Sequence, residues 1–213
     1  MSSNFIVIKS SYHEAKKNII RNRDATKEEL QQAIIDLAEE LAKKIQEQFY
    51  INEQDIITPM FCNITGPYLY HPRTVIITTK DDRDTLAFGF EKKIKNTILG
   101  FMDFEGRRGL QALKSPVRSI ELPDSKEPVV NLIVGKTVLA TGCTAISLTK
   151  EAMQKYMPRQ IIVASIFYSE QGIREIFDEL PNVNLIVIGE PDSLNKEGML
   201  VPGIGNLDER IHA

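Results

Sequence analysis

The sequence predicts an α/β protein: a mainly parallel sheet flanked by helices. Three observations point there. From Val129 onward, apolar runs with β-branched residues alternate with helical segments, the order that gives parallel strands with crossover connections. The stretch EPVVNLIVGKTVLATGCTAISL (127–148) joins an apolar run, Val129 to Val134, to a small-residue turn and then a helical pattern. Such a run suits a strand covered on both faces. Finally, KEELQQAIIDLAEELAKKIQEQF (27–49) places Leu30, Ile34, Leu37, Leu41 and Ile45 at helical intervals.

In chain order, Phe5–Ile8 reads as a first strand or an arm lying on the body. Thr26 and Glu29 have capping-box spacing at the head of the long helix, whose charged face is expected to be solvated. Asp55–Phe61 suits a short strand or extended edge, since Pro59 lacks a ladder donor. Gly66-Pro67 and His71-Pro72 punctuate a loop. Thr74–Thr79 (TVIITT) is a buried strand, and Asp81, Asp82 and Asp84 lead into a helix over Thr85–Lys95. Thr97–Met102 is a further strand. Asp103–Leu122, with Gly106, Gly109, Pro116 and the pair Arg107-Arg108, reads as a protruding hairpin or flap. Beyond the Gly142 turn come a helix (Ala145–Tyr156), a strand (Ile161–Phe167), a helix (Ser169–Leu180) and a strand (Leu185–Ile188). Gly198–Asn206 forms a Gly/Pro-rich loop too apolar for a disordered tail. The 213 residues fit one domain, 1–213.

Composition narrows the function classes. With 42% hydrophobic and 26% charged residues the chain is an ordinary globular protein. A net charge of −3 offers no general footprint for nucleic acid or an anionic membrane. No apolar run approaches the ~18 residues that span a bilayer, and the first residues lack the order of a signal peptide. A cytoplasmic location is expected. Cys62 and Cys143 make no disulfide framework and have no metal-ligand spacing. His13, His71 and His212 are expected to face solvent, with no zinc-site partners. Asp81, Asp82 and Asp84 could hold a divalent cation, although a charged helix cap is the commoner use.

The Ala140-Thr141-Gly142-Cys143-Thr144 turn would expose backbone N–H groups at a helix N-terminus, where an anion sits well. Spacing alone leaves two readings open, a phosphate cradle or an ordinary strand–turn–helix joint. No GxxxxGK[ST] motif occurs, so an ATPase-type P-loop is ruled out. Arg107 and Arg108 could clamp a phosphate bidentately or form a solvated basic turn. Residue chemistry by itself reaches a phosphate-ester binder.

Several segments together resemble the uracil phosphoribosyltransferases over nearly the whole chain. Arg23-Asp24 followed by Thr26 is similar to that family's Leu-Arg-Asp…Thr opening, and Thr58-Pro59 to its Thr-Pro step. Leu139–Thr144 (LATGCT) resembles its Leu-Ala-Thr-Gly-Gly-Ser phosphate loop, and Gln171-Gly172-Ile173 its Glu-Gly-Ile. Asp192…Leu194-Asn195…Gly198, then Val201-Pro202-Gly203-Ile204-Gly205, resembles its uracil-pocket motif, with Arg210 just beyond.

The resemblance implies a type I phosphoribosyltransferase fold, divided into an N-terminal arm and helix (1–50), a flap (103–122) and a base-binding loop region (189–213). It implies transfer of phosphoribosyl from phosphoribosyl pyrophosphate to uracil, giving UMP and pyrophosphate, with Mg²⁺ accompanying the pyrophosphate and no resident metal site. It implies a homodimer or higher homo-oligomer, with no nucleic acid or membrane partner. Residue by residue, it assigns Ala140, Thr141, Gly142, Cys143 and Thr144 to the 5′-phosphate. It assigns Met199, Leu200, Val201, Gly203, Gly205 and Asn206 to the base, with Leu200 and Gly205 supplying backbone contacts. Arg107 and Arg108 are the candidate pyrophosphate contacts.

There are departures. Where the family carries Asp-Pro-Met, whose acid faces the ribose hydroxyls, this chain has Lys136-Thr137-Val138. An acceptor has become a donor. The family's Leu-Arg-Ala-Gly pyrophosphate turn has no counterpart in Ile76–Asp82. Met199 stands for a tyrosine and Asn206 for an aspartate. An alternative follows: a catalytically degenerate relative that binds a nucleotide monophosphate or serves as a regulatory or scaffold subunit.

Overall fold

Within the computed structural model, residues 4–103 and 119–212 are described. Seven strands form one sheet, β1 (Asn4–Ile8), β4 (Thr74–Thr79), β5 (Thr97–Asp103), β6 (Ser119–Glu121), β7 (Asn131–Leu139), β8 (Gln160–Tyr168) and β9 (Val183–Ile188). Their order across the sheet is β1-β9-β8-β7-β4-β5-β6. All neighbours are parallel except the last pair, β5 and β6. β1 is therefore a strand of the sheet, paired along β9 with Asn4 opposite Asn184 and Ile8 opposite Ile188.

Side-chain alternation along the buried strands divides the core in two. Ile76, Ile133, Ile162 and Ile186 face a layer built on α2 (Lys27–Phe49), which contributes Leu30, Ile34, Leu37, Leu41 and Ile45. Val75, Val134, Val163 and Leu185 face the other layer, from α4 (Cys143–Tyr156) and α5 (Glu170–Glu179). The Thr26–Glu29 capping box is present in both directions, with N···O distances of 3.2 and 2.9 Å. The charged face of α2 is not simply solvated. Glu39 pairs with Lys92 and Lys93 of the short helix α3 (Phe88–Lys93), and Asp36 with Lys16 of α1 (Ser11–Arg21).

Four local expectations change. Helix α1 occupies a stretch with no assigned element; its N-cap Ser10 accepts from the His13 amide, and Ile20 reaches the core. The Asp55–Phe61 edge and the Gly66-Pro67 loop are instead one antiparallel hairpin, β2 (Ile51–Ile57) and β3 (Asn63–Leu69), turning at 58–62. Pro59 falls in the turn. Gly66 and Pro67 sit in β3 opposite Gln54 and Glu53, tolerated because each strand of a two-stranded ribbon has an open edge. The helix expected over Thr85–Lys95 is a 3₁₀ turn (Lys80–Asp82), a π turn (Arg83–Ala87) and α3, without a side-chain cap from the aspartates. The helix after Gly142 begins two residues early, at Cys143.

Asp103 lies opposite Ser119, so the two ends of the expected flap are adjacent and antiparallel. Its interior, including Arg107 and Arg108, lies outside the described residues.

Candidate functional site

The site sits where parallel-sheet proteins place ligands, at the carboxyl ends of the strands. Thr79 at the end of β4, Leu139 at the end of β7 and the C-terminal loop enclose a cavity of about 380 Å³.

One wall is the Ala140–Thr144 turn, and all five residues line the cavity. Gly142 is the N-cap of α4 with φ +74°, a left-handed conformation that a side chain would strain. Among the described residues no side chain caps this 14-residue helix, and its first turn holds no acid. Its N-terminal amides and dipole are therefore left to an anion from the cavity. α5 buttresses the turn from behind. Ser169 Oγ donates to the Ala140 carbonyl at 2.5 Å and accepts from Gly172 N at 2.9 Å. A Cβ at Gly172 would stand 2.5 Å from the Ala140 oxygen, so a glycine is required for this approach. Cys143 is buried, its Sγ 3.2 Å from Thr141 Oγ1.

The facing wall is the C-terminal loop. Met199, Leu200 and Gly205 line the cavity, joined by Pro202 and Ile204; Val201, Gly203 and Asn206 do not. Val201 pairs outward with Ser193 across the β10 (Ser193–Leu194) and β11 (Leu200–Val201) ribbon. Gly203 is turned away, φ +59°, and its amide donates to Asp192 Oδ2 at 3.2 Å. Its missing Cβ matters, since one would lie 2.1 Å from the Leu200 oxygen. Asn195 shapes the preceding turn by accepting from the Glu197 and Met199 amides at 3.0 and 2.9 Å.

Between the two walls stands an ion pair. Lys136 Nζ lies 2.5 Å from Asp82 Oδ2 and donates to Thr79 Oγ1 at 2.7 Å. The Asp82 side chain is 1% exposed and that of Lys136 16%, so the ammonium is presented from a buried carboxylate. The aspartate read as a helix cap is thus a counter-ion. Neither charge turns away from the cavity, and the two cancel. Burial raises the neighbouring Asp81 carboxyl above its ordinary value; Lys136 opposes this, while Asp208, Asp82 and Asp103 add to it.

Other sequence candidates lie elsewhere. His13 is buried rather than solvent-facing, 3.6 Å from Glu40, because α1 packs along α2. His71 is exposed on the far side of the strand β4. Among the described residues, no three His, Cys, Asp or Glu side chains gather as a metal site. None of their helices is long and apolar enough to cross a membrane. Asp82 was visible in the sequence only as one of three aspartates, and its pairing with Lys136 and that of Thr79 with Lys136 had no sequence signal, since each joins residues more than fifty positions apart.

A family model described as uracil phosphoribosyltransferase matches residues 7–213. A uracil phosphoribosyltransferase of Sulfurisphaera tokodaii is 23% identical over 197 residues, 90% of this chain and 91% of that one. One from Aquifex aeolicus is 23% identical over 93% and 92% of the two chains, and one from Clostridium botulinum 24% over 92% of each. A solved structure of an Aquifex aeolicus protein superposes with a TM-score of 0.81 over 98% of both chains at 21% identity, which shows the shared fold. With the match spanning the sheet, the Ala140–Thr144 turn and the C-terminal loop alike, the chain belongs to the uracil phosphoribosyltransferase family.

Proposed function

We propose that the cavity binds UMP and that the chain joins uracil to phosphoribosyl pyrophosphate, giving UMP and pyrophosphate. One observation carries this reading: the Ala140–Thr144 and Met199–Gly205 segments face each other across a single cavity of about 380 Å³. The 5′-phosphate would take the amides at the start of α4, and the base edge the backbone of Leu200 and Gly205. Transfer of this kind passes through an oxocarbenium-like ribose as pyrophosphate departs, so catalysis depends on holding both ends of the substrate in place. Mg²⁺ fits as a companion of pyrophosphate. Asp81 and Asp208 offer the hard oxygen donors it prefers, but not a full protein cage. Arg107 and Arg108 are proposed to meet pyrophosphate from the flap.

A second reading, a relative that binds the nucleotide but transfers little, is favoured by the Lys136–Asp82 pair. The position expected to accept from ribose hydroxyls carries a donor already committed to Asp82 and Thr79. Calorimetric titration with UMP and an assay with uracil, phosphoribosyl pyrophosphate and Mg²⁺ separate the two. UMP formation supports the transferase, and UMP binding without product supports the binder. Failure of both removes the two together.

The protein is proposed to act as a cytoplasmic homodimer. Ile57, Met60 and Phe61 at the tip of the β2–β3 hairpin are 72, 80 and 91% exposed. Apolar side chains gathered at the end of a ribbon fit a second copy of the chain.

A further inference from the structure

We infer that the carboxyl end of α1 is the frame on which the base-binding loop is held, with Arg21 and Asp192 as positioning residues for the base. This rests on the proposed base site. Asp192 is the centre of the frame, its side chain 5% exposed. Oδ1 accepts from Arg21 Nη2 at 2.5 Å, Oδ2 accepts from the Gly203 amide at 3.2 Å, and its own amide donates to the Tyr168 carbonyl at 2.8 Å. One residue thus joins α1 and the loop through its carboxylate and the end of β8 through its amide.

A second tie reaches the same helix end. Arg210, in α6 (Leu207–His212), donates to the Ile204 carbonyl at 2.9 Å, to Ile20 O at 2.6 Å and to Asn22 O at 2.5 Å. Gly203 and Ile204 are therefore fixed in succession, both to residues 20–22. Arg21 is itself packed on an aromatic ring, its guanidinium carbon 5.1 Å from the centre of Phe167. Neither Arg21 nor Asp192 lines the cavity; Pro202 and Ile204, the neighbours of Gly203, do. The effect on a ligand must pass through the loop backbone. Base recognition by backbone groups tolerates little displacement, whereas the Ala140–Thr144 turn is braced by Ser169 and Gly172, to which neither the Arg21 guanidinium nor the Asp192 carboxylate is hydrogen-bonded.

The test uses Asp192→Asn and Arg21→Gln in the full chain. An asparagine has one acceptor oxygen where two donors converge, so one tie is lost. UMP affinity is expected to fall at least about tenfold while affinity for ribose 5-phosphate changes less than about twofold, with Arg21→Lys recovering part of the loss. Parallel loss of both ligands, the mark of a merely structural role, overturns the proposal, as does unchanged UMP binding. Hydrogen exchange at the Gly203 amide provides an independent reading in the unliganded protein. It should be markedly faster in Asp192→Asn, and equal rates overturn the frame. If the wild-type chain binds no UMP, the proposed function falls and the frame is judged on exchange alone.

Discussion

Lys136 and Asp82 look, in the sequence, like two separate obstacles to a phosphorylated ligand, a cation at the ribose position and an acid beside the pyrophosphate. Side by side at 2.5 Å they are one neutral group, and Thr79 satisfies a further donor of the ammonium. Removing one partner is expected to cost more than the pair contributes, because Asp82 would remain charged and out of water. Lys136→Met should lose about 3–5 kcal/mol of unfolding free energy. The double variant Lys136→Met/Asp82→Asn should lose less than Lys136→Met alone, as followed by urea denaturation. Additive losses would mean that the two groups are not coupled.

The phosphate turn illustrates the same reasoning for elements. Its proposed chemistry comes from the N-terminal amides of α4, but its shape comes from α5, which approaches so closely that a Cβ at Gly172 would overlap the Ala140 oxygen and one at Gly142 would stand 3.0 Å from the Gly172 oxygen. Gly172→Ala would drive a methyl group into the Ala140 carbonyl and the Leu139 side chain, both within 2.7 Å of the new carbon. Overpacking of this order costs about 1–3 kcal/mol. Because the turn moves as a unit, UMP and ribose 5-phosphate should weaken together, readable by calorimetry. A selective loss of UMP would contradict this division of labour between the turn and the base loop. The turn itself was legible in the sequence, since small residues between an apolar run and a helical pattern are a local signal. The requirement at Gly172 was not, because its neighbour in space is thirty-two residues away.

For the molecule as a whole, the β2–β3 ribbon forms a sheet of its own beside the seven-stranded one, with no further strand paired to it among the described residues. A lone two-stranded ribbon is marginally stable in water. Its bare tip gives the proposed dimer a physical motive. Ile57→Ser/Phe61→Ser should shift the sedimentation coefficient toward that of a monomer of 24.1 kDa while leaving the circular dichroism of the core unchanged. A variant that sediments like the wild type would place the dimer contact elsewhere. The local sequence of this region favours an edge followed by a loop. Pro59, Gly66 and Pro67 are breakers in a closed sheet, and only a ribbon with two open edges accommodates the last two as strand residues.

The sequence by itself determined the alternation of strand and helix, the capped helix α2, the small-residue turn at Ala140–Thr144 and the apolar C-terminal loop. Each is written in local periodicity or in a short motif, which needs no knowledge of distant residues. Only the tertiary structure decided that β1 closes one edge of the sheet, that Asp82 neutralises Lys136, and that Arg21 reaches Asp192 across 171 positions of sequence. Charge pairs and buried carboxylates acquire meaning from what the fold brings within about 3 Å of them, and no spacing rule along the chain encodes that.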